Sequence, residues 1–582
     1  MSTSVPEGAT AAAPLDLELD LREPQRHLVQ ARLRIQPQRP ELVLRLPAWT
    51  PGSYLIRDYV RTLEGLEVLQ AGRRLPLRRR EVAAWSLRLE SLEPLEIRWR
   101  ILATELTVRT CHLSGDHGFL ALAGVVLQVE GERWRPHRLT LLLPGGWQPF
   151  VSLPRQEDGT WLAPDFDTLL DTPLELGPHP CHSFQVAGRP HRWVSWGGDP
   201  VLDHPTWLAD VEQVCLACCR LMGQEHPPAD DYLFVLHLLE QGFGGLEHDR
   251  SCVLQFSRRA LRRPDGRRKL LQLVAHEYLH QWNVRRLRPA ELTPIDYDRP
   301  TIVSSLWFAE GVTSYLDPLL PVAAGLVEEA ELLEDLGADL SRYRLTAGRR
   351  VQSLQASAEE AWVKLYRQDA HSHDTQISYY LKGAVLALVL DLHLRRHGSW
   401  IGAVLRQLWH SHGRHRRGYG PSDLIAAFAD HAPDLSTLLP QWLESTDDPP
   451  IDECLAEVGL RLVPETGCHP FAGWQPEPQG SAGLVLRRVD RDGAAQRAGL
   501  AVGDELLAID GQRVRSEEDL PPLLGLPKPL RPVAVLFCRD GQVRQTTLQA
   551  DPPVVVRWRL ETMPDPTLEQ LERRRRWLAL RP

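Results

Sequence analysis

Long apolar runs are missing from this chain. No stretch of about 18 or more apolar residues occurs anywhere in its 582 positions, which excludes a transmembrane helix. A basic excess is missing too. Lys and Arg number 67 against 76 Asp and Glu, for a net charge of −9. Nucleic acid or an anionic membrane surface would ask for the opposite sign, so neither is expected as a partner. The runs Arg78–Arg80 and Arg573–Arg576 sit among acidic residues and read as solvated faces. The opening MSTSVPEGATAAAP lacks the basic start and apolar stretch of a secretory signal, so a reducing cytoplasm is the expected location. Cysteine is too sparse for a disulfide scaffold: nine residues, an odd number. Cys215, Cys218 and Cys219 cluster, but no second C-x-x-C completes a tetrahedral site. They read as the buried face of an amphipathic helix. There is no internal repeat and no low-complexity tract.

What is present divides by pattern. A chain of this length should hold three or four domains. Leu15, Leu17, Leu19 and Leu21 alternate with Asp16, Glu18 and Asp20; Leu42, Leu44 and Leu46 alternate again, as do Ile97, Trp99 and Ile101. Period-2 alternation means strands with one wet face. Helical spacing is absent until about residue 205, so residues 1–190 are assigned to a β-sandwich-like domain. Trp207 to Met222 then has helical spacing, Tyr232–Leu239 and Cys252–Phe256 read as buried strands, and helices are expected at Leu270–Trp282, Leu306–Leu316, Val327–Leu340 and Tyr379–His397. This gives a mainly helical domain over 191–450. Pro449 and Pro450 mark a linker, after which strand patterns return at Gly483–Val489, Glu505–Ile509 and Val533–Cys538 in a unit spanning 451–550. A tail, 551–582, ends in a short helical stretch with Trp577 and Leu578. The fold class is multidomain α+β.

Residues 276–280 read H-E-Y-L-H. Helical residues four apart share a face, so His276 and His280 can hold one ion from successive turns. Glu277 stays near enough to take a proton from an activated water. Composition alone would produce such a pattern roughly one time in ten, so its setting has to support it. Leu270, Leu271, Leu273, Val274, Leu279 and Trp282 surround it with core spacing, and a polar stripe on a core helix needs a reason, since unpartnered buried polar groups cost several kcal/mol. A zinc site that does chemistry wants a third protein ligand and an open position. Glu310, in W-F-A-E-G-V-T-S-Y-L, is the candidate, with Asn283 and Ser314 as residues that would orient the ligands.

H-E-x-x-H followed by W-x-x-E-G resembles the gluzincins, the thermolysin-like zinc peptidases. G-G-L-E-H at 244–248 resembles the exopeptidase motif of gluzincin aminopeptidases in the form found in the glycyl aminopeptidase family. Y-Y-L-K-G at 379–383 is similar to the segment carrying that group's catalytic tyrosine, and P-A-W-T-P-G-S-Y-L-I-R-D at 47–58 is similar to the signature of the same family's β domain. G-A-A-Q-R-A-G-L-A-V-G-D-E-L-L-A-I-D-G at 493–511 resembles PDZ domains of the bacterial protease type. The likeness runs from Pro47 to about Ala550.

The resemblance implies a thermolysin-like catalytic domain with one zinc ion on His276, His280 and Glu310, and Glu277 as general base. It also implies that Tyr380 donates to the oxyanion, with Tyr379 as the alternative. On a helix the two rings should point about 100° apart, so only one should face the site. Glu247 would pair with the free α-amine of a peptide substrate, Gly244 and Gly245 would let its backbone approach, and the Cys252–Phe256 strand would dock it by β-addition. N-terminal Gly, then Ala, is the substrate preference so implied. The PDZ-like unit either captures a C-terminal carboxylate on amides near Val458–Gly459–Leu460 or packs with its groove occluded. Two rivals stand beside the aminopeptidase. One is an endopeptidase with the same zinc site. The other is a non-catalytic PDZ scaffold, which the presence of every ligand and of the base disfavours.

Overall fold

The alternating leucines near the N-terminus do what their pattern demands. The computed structural model describes residues 13–477, 483–525 and 530–582, so most of the opening stretch read for a secretory signal lies outside the described residues. The Leu15–Asp20 strand buries Leu15, Leu17 and Leu19. It pairs antiparallel with Leu28–Ile35 and parallel with His137–Leu142 in a seven-stranded sheet. Leu95–Leu102, in the same sheet, buries Ile97, Trp99 and Ile101. Two four-stranded sheets complete this β-rich region.

The chain divides into two units, Met1–Thr301 with Leu405–Gly420, and Ile302–Val404 with Pro421–Pro582. The first unit continues past the β region into a five-stranded mixed sheet. Its spatial order is Cys181–Val186, Arg189–Trp196, Tyr232–Leu239, Ser251–Ser257 and Phe243–Glu247. The sheet therefore reaches back to Cys181, upstream of residue 190. Tyr232–Leu239 runs parallel to both neighbours, which suits its near-continuous apolar sequence. Ser251–Ser257 is flanked on both sides, so its backbone has no edge to offer a peptide. The edge strands are Cys181–Val186 and Phe243–Glu247, so β-addition to Cys252–Phe256 is excluded and Phe243–Glu247 is the edge beside it. The helix Trp207–Met222 buries Cys215, Cys218 and Cys219, and burial pushes the Cys219 thiol up to about 12. The motif helix spans Gly266–Leu279, with His280 at its C-cap, so it starts earlier and stops sooner than Leu270–Trp282.

The second unit holds the Glu329–Leu345 and Tyr379–Arg396 helices and a β domain at its C-terminal side. That domain's sheet runs Trp474–Pro476, Leu484–Val489, Glu505–Ile509, Val533–Arg539 and Gln542–Leu548 around a core of Leu486, Leu506, Ile509, Val535 and Phe537. Asp504, fully buried, receives both Arg539 guanidinium nitrogens at 2.7 and 2.8 Å and the Ala501 amide. Val458, Gly459 and Leu460 lie outside that sheet. The Val458 and Gly459 amides donate to Leu455 and Ala456, and Leu460 opens a strand paired with Val555–Thr562. Those backbone groups are engaged, so a carboxylate-binding loop there is ruled out. The last helix, Leu568–Leu578, is anchored from within: Trp577 is fully buried, its Nε1 donates to the Tyr315 hydroxyl (2.7 Å), and Tyr315 donates to Asp391 (2.6 Å). No helix among the described residues is long and apolar enough to cross a membrane.

Trp577→Ala should therefore destabilise the second unit by about 3–5 kcal/mol, the usual cost of emptying a buried tryptophan site. The urea midpoint measures it. An unchanged midpoint would show that the terminal helix is not docked.

Candidate active site

In the first unit the H-E-Y-L-H segment sits at the end of a buried helix. Leu270, Leu271 and Val274 are fully buried, which fixes the helix's rotation and turns His276, Glu277 and His280 toward one region. The two imidazoles stand 4.6 Å apart, ring edge to ring face. His280 Nδ1 lies 2.6 Å from the Asn283 carbonyl oxygen. A carbonyl only accepts, so Nδ1 carries the proton and Nε2 keeps a bare lone pair, the state a metal ligand needs. Asn283 thus acts through its backbone and not its side chain.

Glu247, Glu277 and His280 are each buried, and their ligand atoms lie within 4.8 Å of one another. Two features make this approach possible. Gly245, on the edge strand, faces Glu277 so closely that a Cβ there would sit 2.2 Å from Glu277 Oε1. Gly52, at φ +81°, comes from the P-G-S-Y segment; a Cβ on it would sit 2.6 Å from Glu247 Oε2. The N-terminal β region thereby presses on the back of Glu247. Gly244, at φ +143°, has open space where a Cβ would be. Glu247 Oε1 has no hydrogen-bond partner among the described residues.

The residues after Glu247 are tied down by Asp171. It meets His248 Nδ1 (3.0 Å) and the Asp249 amide (2.8 Å), and pairs with the buried Arg285 guanidinium (2.7 Å). Arg285 also pairs with Asp249 at 3.3 Å. Burial opposes the Arg285 charge, but Asp171, Asp249 and Glu247 outweigh it and hold the guanidinium firmly protonated. Sequence reading did not single out Asp171, Arg285 or Gly52 for these roles; only the P-G-S-Y signature pointed toward Gly52.

In the second unit Glu310 is buried within a π-helical turn, Trp307–Gly311. Such turns widen a helix locally and recur at functional sites. In the following turn Thr313, not Ser314, is the buried hydroxyl, and it donates to the Ala309 carbonyl (2.8 Å). Gly311 packs on Gly383 of the Y-Y-L-K-G segment: a Cβ on Gly311 would lie 2.6 Å from Gly383 Cα. That contact locks the tyrosine helix against the turn carrying Glu310. Tyr379 and Tyr380 do not diverge as helical spacing suggests. Their rings stack with centroids 4.7 Å apart, and both hydroxyls meet the Tyr366 hydroxyl, at 3.2 and 3.3 Å. Stacking two successive rings at the first turn of a helix overrides the 100° rule, because side-chain torsions there are not confined by a preceding turn. Tyr366 carries no motif that would have revealed it.

Known proteins resemble this chain in domain content and fold. The Peptidase M61 N-terminal domain matches residues 16–178, the M61 glycyl aminopeptidase domain matches 269–386, and a PDZ domain matches 485–525. An aminopeptidase N family protein from Idiomarina loihiensis is 28% identical and superposes with a TM-score of 0.90 over 97% of this chain and 100% of that one. An M1 zinc metallopeptidase from Deinococcus radiodurans, 15% identical, gives a TM-score of 0.46 over 75% of this chain and 94% of its own. A probable periplasmic serine endoprotease DegP-like from Halomonas elongata is 39% identical over 72 residues, 12% of this chain and 15% of that protein's length. Fold and domain matches define a peptidase of the aminopeptidase class. Within it, the chain belongs to the M61 glycyl aminopeptidase family and carries a PDZ domain.

The Gly245–Glu277 contact makes a direct prediction. Gly245→Ala should push the Glu277 carboxylate out of place and lower kcat on aminoacyl amides by about 100-fold, the scale of an ångström-sized misplacement. The urea midpoint should move little. Steady-state kinetics with near-normal kcat would show that Glu277 is not held by this strand.

Proposed function

We propose that the protein removes single small residues, glycine before alanine, from the free N-terminus of peptides. The observation that carries this reading is the convergence of Glu247, Glu277 and His280 in one buried place. Two carboxylates that close and that dry repel each other unless cations join them. A metal ion and a substrate ammonium are the two cations an aminopeptidase brings. His276 and His280, with Glu310 as third ligand, would hold one zinc ion. The His280 tautomer fits that role, as does the donor set of two imidazoles and one carboxylate. Zinc bound there supplies a Lewis acid for the scissile carbonyl and lowers the pKa of water.

The chain's own groups do the rest. Glu277 takes the proton of the attacking water and delivers it to the leaving amine. Tyr380 donates its hydroxyl to the developing oxyanion, and Tyr366, within 3.3 Å of it, fixes the direction of that donation. Glu247 accepts the α-ammonium at its unpartnered Oε1, a charge-assisted bond of roughly 1.5–3 kcal/mol. Gly244 leaves open space on the free edge of the Phe243–Glu247 strand, where the first residues of a peptide add by backbone pairing. In this reading the thermolysin-like catalytic domain begins with the Cys181–Val186 strand and runs to about residue 450, between the N-terminal β domain and a PDZ-like unit at 451–550, with residues 551–582 as a closing segment. A reducing cytoplasm suits the buried thiols of Cys215, Cys218 and Cys219.

A panel of aminoacyl chromogenic amides, assayed with and without chelator, tests the mechanism. Glycyl and alanyl amides should be cleaved fastest, chelation should abolish turnover, and added zinc should restore it. Glu277→Gln should lose about 100- to 10,000-fold in kcat while keeping its zinc. Chelator-insensitive cleavage, or full activity in Glu277→Gln, would end this reading.

A further inference from the structure

A second cluster of ligating side chains lies in the first unit, away from the H-E-Y-L-H helix in sequence. It is built from His117, Glu175, His179 and His237. His117 precedes the Gly118–Leu120 strand, Glu175 lies on Leu174–Gly177, His179 follows that strand by two residues, and His237 lies on Tyr232–Leu239. The side chains of His117, Glu175 and His237 are fully buried, and that of His179 is 7% exposed. Ligand atoms of His117, Glu175 and His237 fall within 4.8 Å of one another.

The contacts are those of groups aimed at a shared point. His237 Nε2 meets Glu175 Oε2 at 2.8 Å in a hydrogen bond. His179 Nε2 and His117 Nε2 approach Glu175 Oε1 to 2.8 and 3.4 Å as ion-pair partners without hydrogen-bond alignment; burial opposes the Glu175 charge, but the three imidazoles hold its carboxyl well below the usual range. Nitrogen and oxygen that close without hydrogen-bond alignment are not pointing at each other. Ligands at about 2.0–2.1 Å from a tetrahedral ion stand about 3.3 Å apart, and the His117, Glu175 and His237 atoms are already near that spacing, whereas His179, held on Glu175 at 2.8 Å, lies outside that group and has to turn inward to join it.

Aromatic rings pack against all three imidazoles. His117 stacks on Trp196 with centroids 4.3 Å apart, His179 stacks on Phe150 at 5.5 Å, and His237 meets Phe119 edge-on at 5.0 Å. Gly177 makes room for His179: a Cβ there would lie 2.3 Å from His179 Cε1. Orphaned donors and acceptors are rare in protein interiors because each costs about 1–3 kcal/mol, and here several gather in one place. One carboxylate among three imidazoles in a dry interior also leaves negative charge to be balanced.

We propose that His117, His179, His237 and Glu175 form a second metal site, distinct from His276–His280, which takes a divalent transition cation of the zinc type. Three imidazoles and one carboxylate are a zinc donor set, and four protein ligands leave no position open for substrate, so the ion is structural. It clips the strands of the N-terminal β region to the central strand of the five-stranded sheet. The competing arrangement is a proton on one imidazole in place of the ion.

The test uses the full chain with His276→Ala and His280→Ala, which empties the catalytic centre. After equilibrium dialysis against zinc and removal of free metal, elemental analysis should find one zinc per chain in this variant and two in the wild type. X-ray absorption at the zinc edge should show imidazole scattering and a nitrogen/oxygen shell at about 2.0 Å. Adding Glu175→Gln, which keeps the shape and the His237 contact but removes the charge, should weaken zinc binding at least 100-fold. His117→Ala should do the same, and Glu175→Gln covers the case in which that variant does not fold. A metal-free His276→Ala/His280→Ala chain that is fully folded overturns the proposal, as does zinc retained with unchanged affinity after Glu175→Gln.

Discussion

Two carboxylates, Glu247 and Glu277, are buried side by side with His280, and this enforced closeness is the constraint on which the site depends. In water they would repel weakly and turn apart. In the interior their repulsion is larger, so a cation placed between them stabilises the arrangement more than it would in water. Arg285, whose charge is felt by Glu247, pairs directly with Asp171 and Asp249. In the proposed reading a metal ion and the substrate ammonium supply the positive charge that joins the two carboxylates.

Glycine contacts carry the construction. Gly245 lets Glu277 lie against the edge strand, and Gly52 lets the β region reach the back of Glu247. Gly311 and Gly383 let the tyrosine helix close onto the turn that carries Glu310. Each is a place where one methyl group would separate two functional groups by an ångström or more. The N-terminal β region thus contacts Glu247 through Gly52 and ties down the residues after it through Asp171, and in the proposed reading it belongs to the catalytic apparatus.

Much of this was legible in the residues. Strand alternation located Leu15–Asp20 and Leu95–Leu102, and apolar runs located Tyr232–Leu239, because both patterns report burial directly. The H-E-Y-L-H helix was legible because two ligands share one helical face. What the sequence hid depends on contacts between distant segments. The pairing of Ser251–Ser257 on both sides leaves Phe243–Glu247 as the edge beside it instead. The Val458 and Gly459 amides turn back onto Leu455 and Ala456, and Leu460 pairs with Thr562 of a terminal strand that nothing local announces. Tyr379 and Tyr380 stack because Tyr366 gathers both hydroxyls, which helical geometry alone does not foresee. The His117, Glu175, His179 and His237 cluster escaped notice for the same reason: its members have no helical spacing and come together only when the strands assemble.

The central claim is that Glu247 reads the free amine. It is tested most directly by measuring kcat/KM for a glycyl chromogenic amide and its N-acetylated form, in wild type and in Glu247→Ala. Wild type should strongly prefer the free amine. Glu247→Ala should lower that value by about 10- to 150-fold, matching the charge-assisted bond, and leave the acetylated substrate unchanged. Equal cleavage of both substrates by the wild type, or an equal loss on both in the variant, would contradict the account and return the protein to the endopeptidase reading.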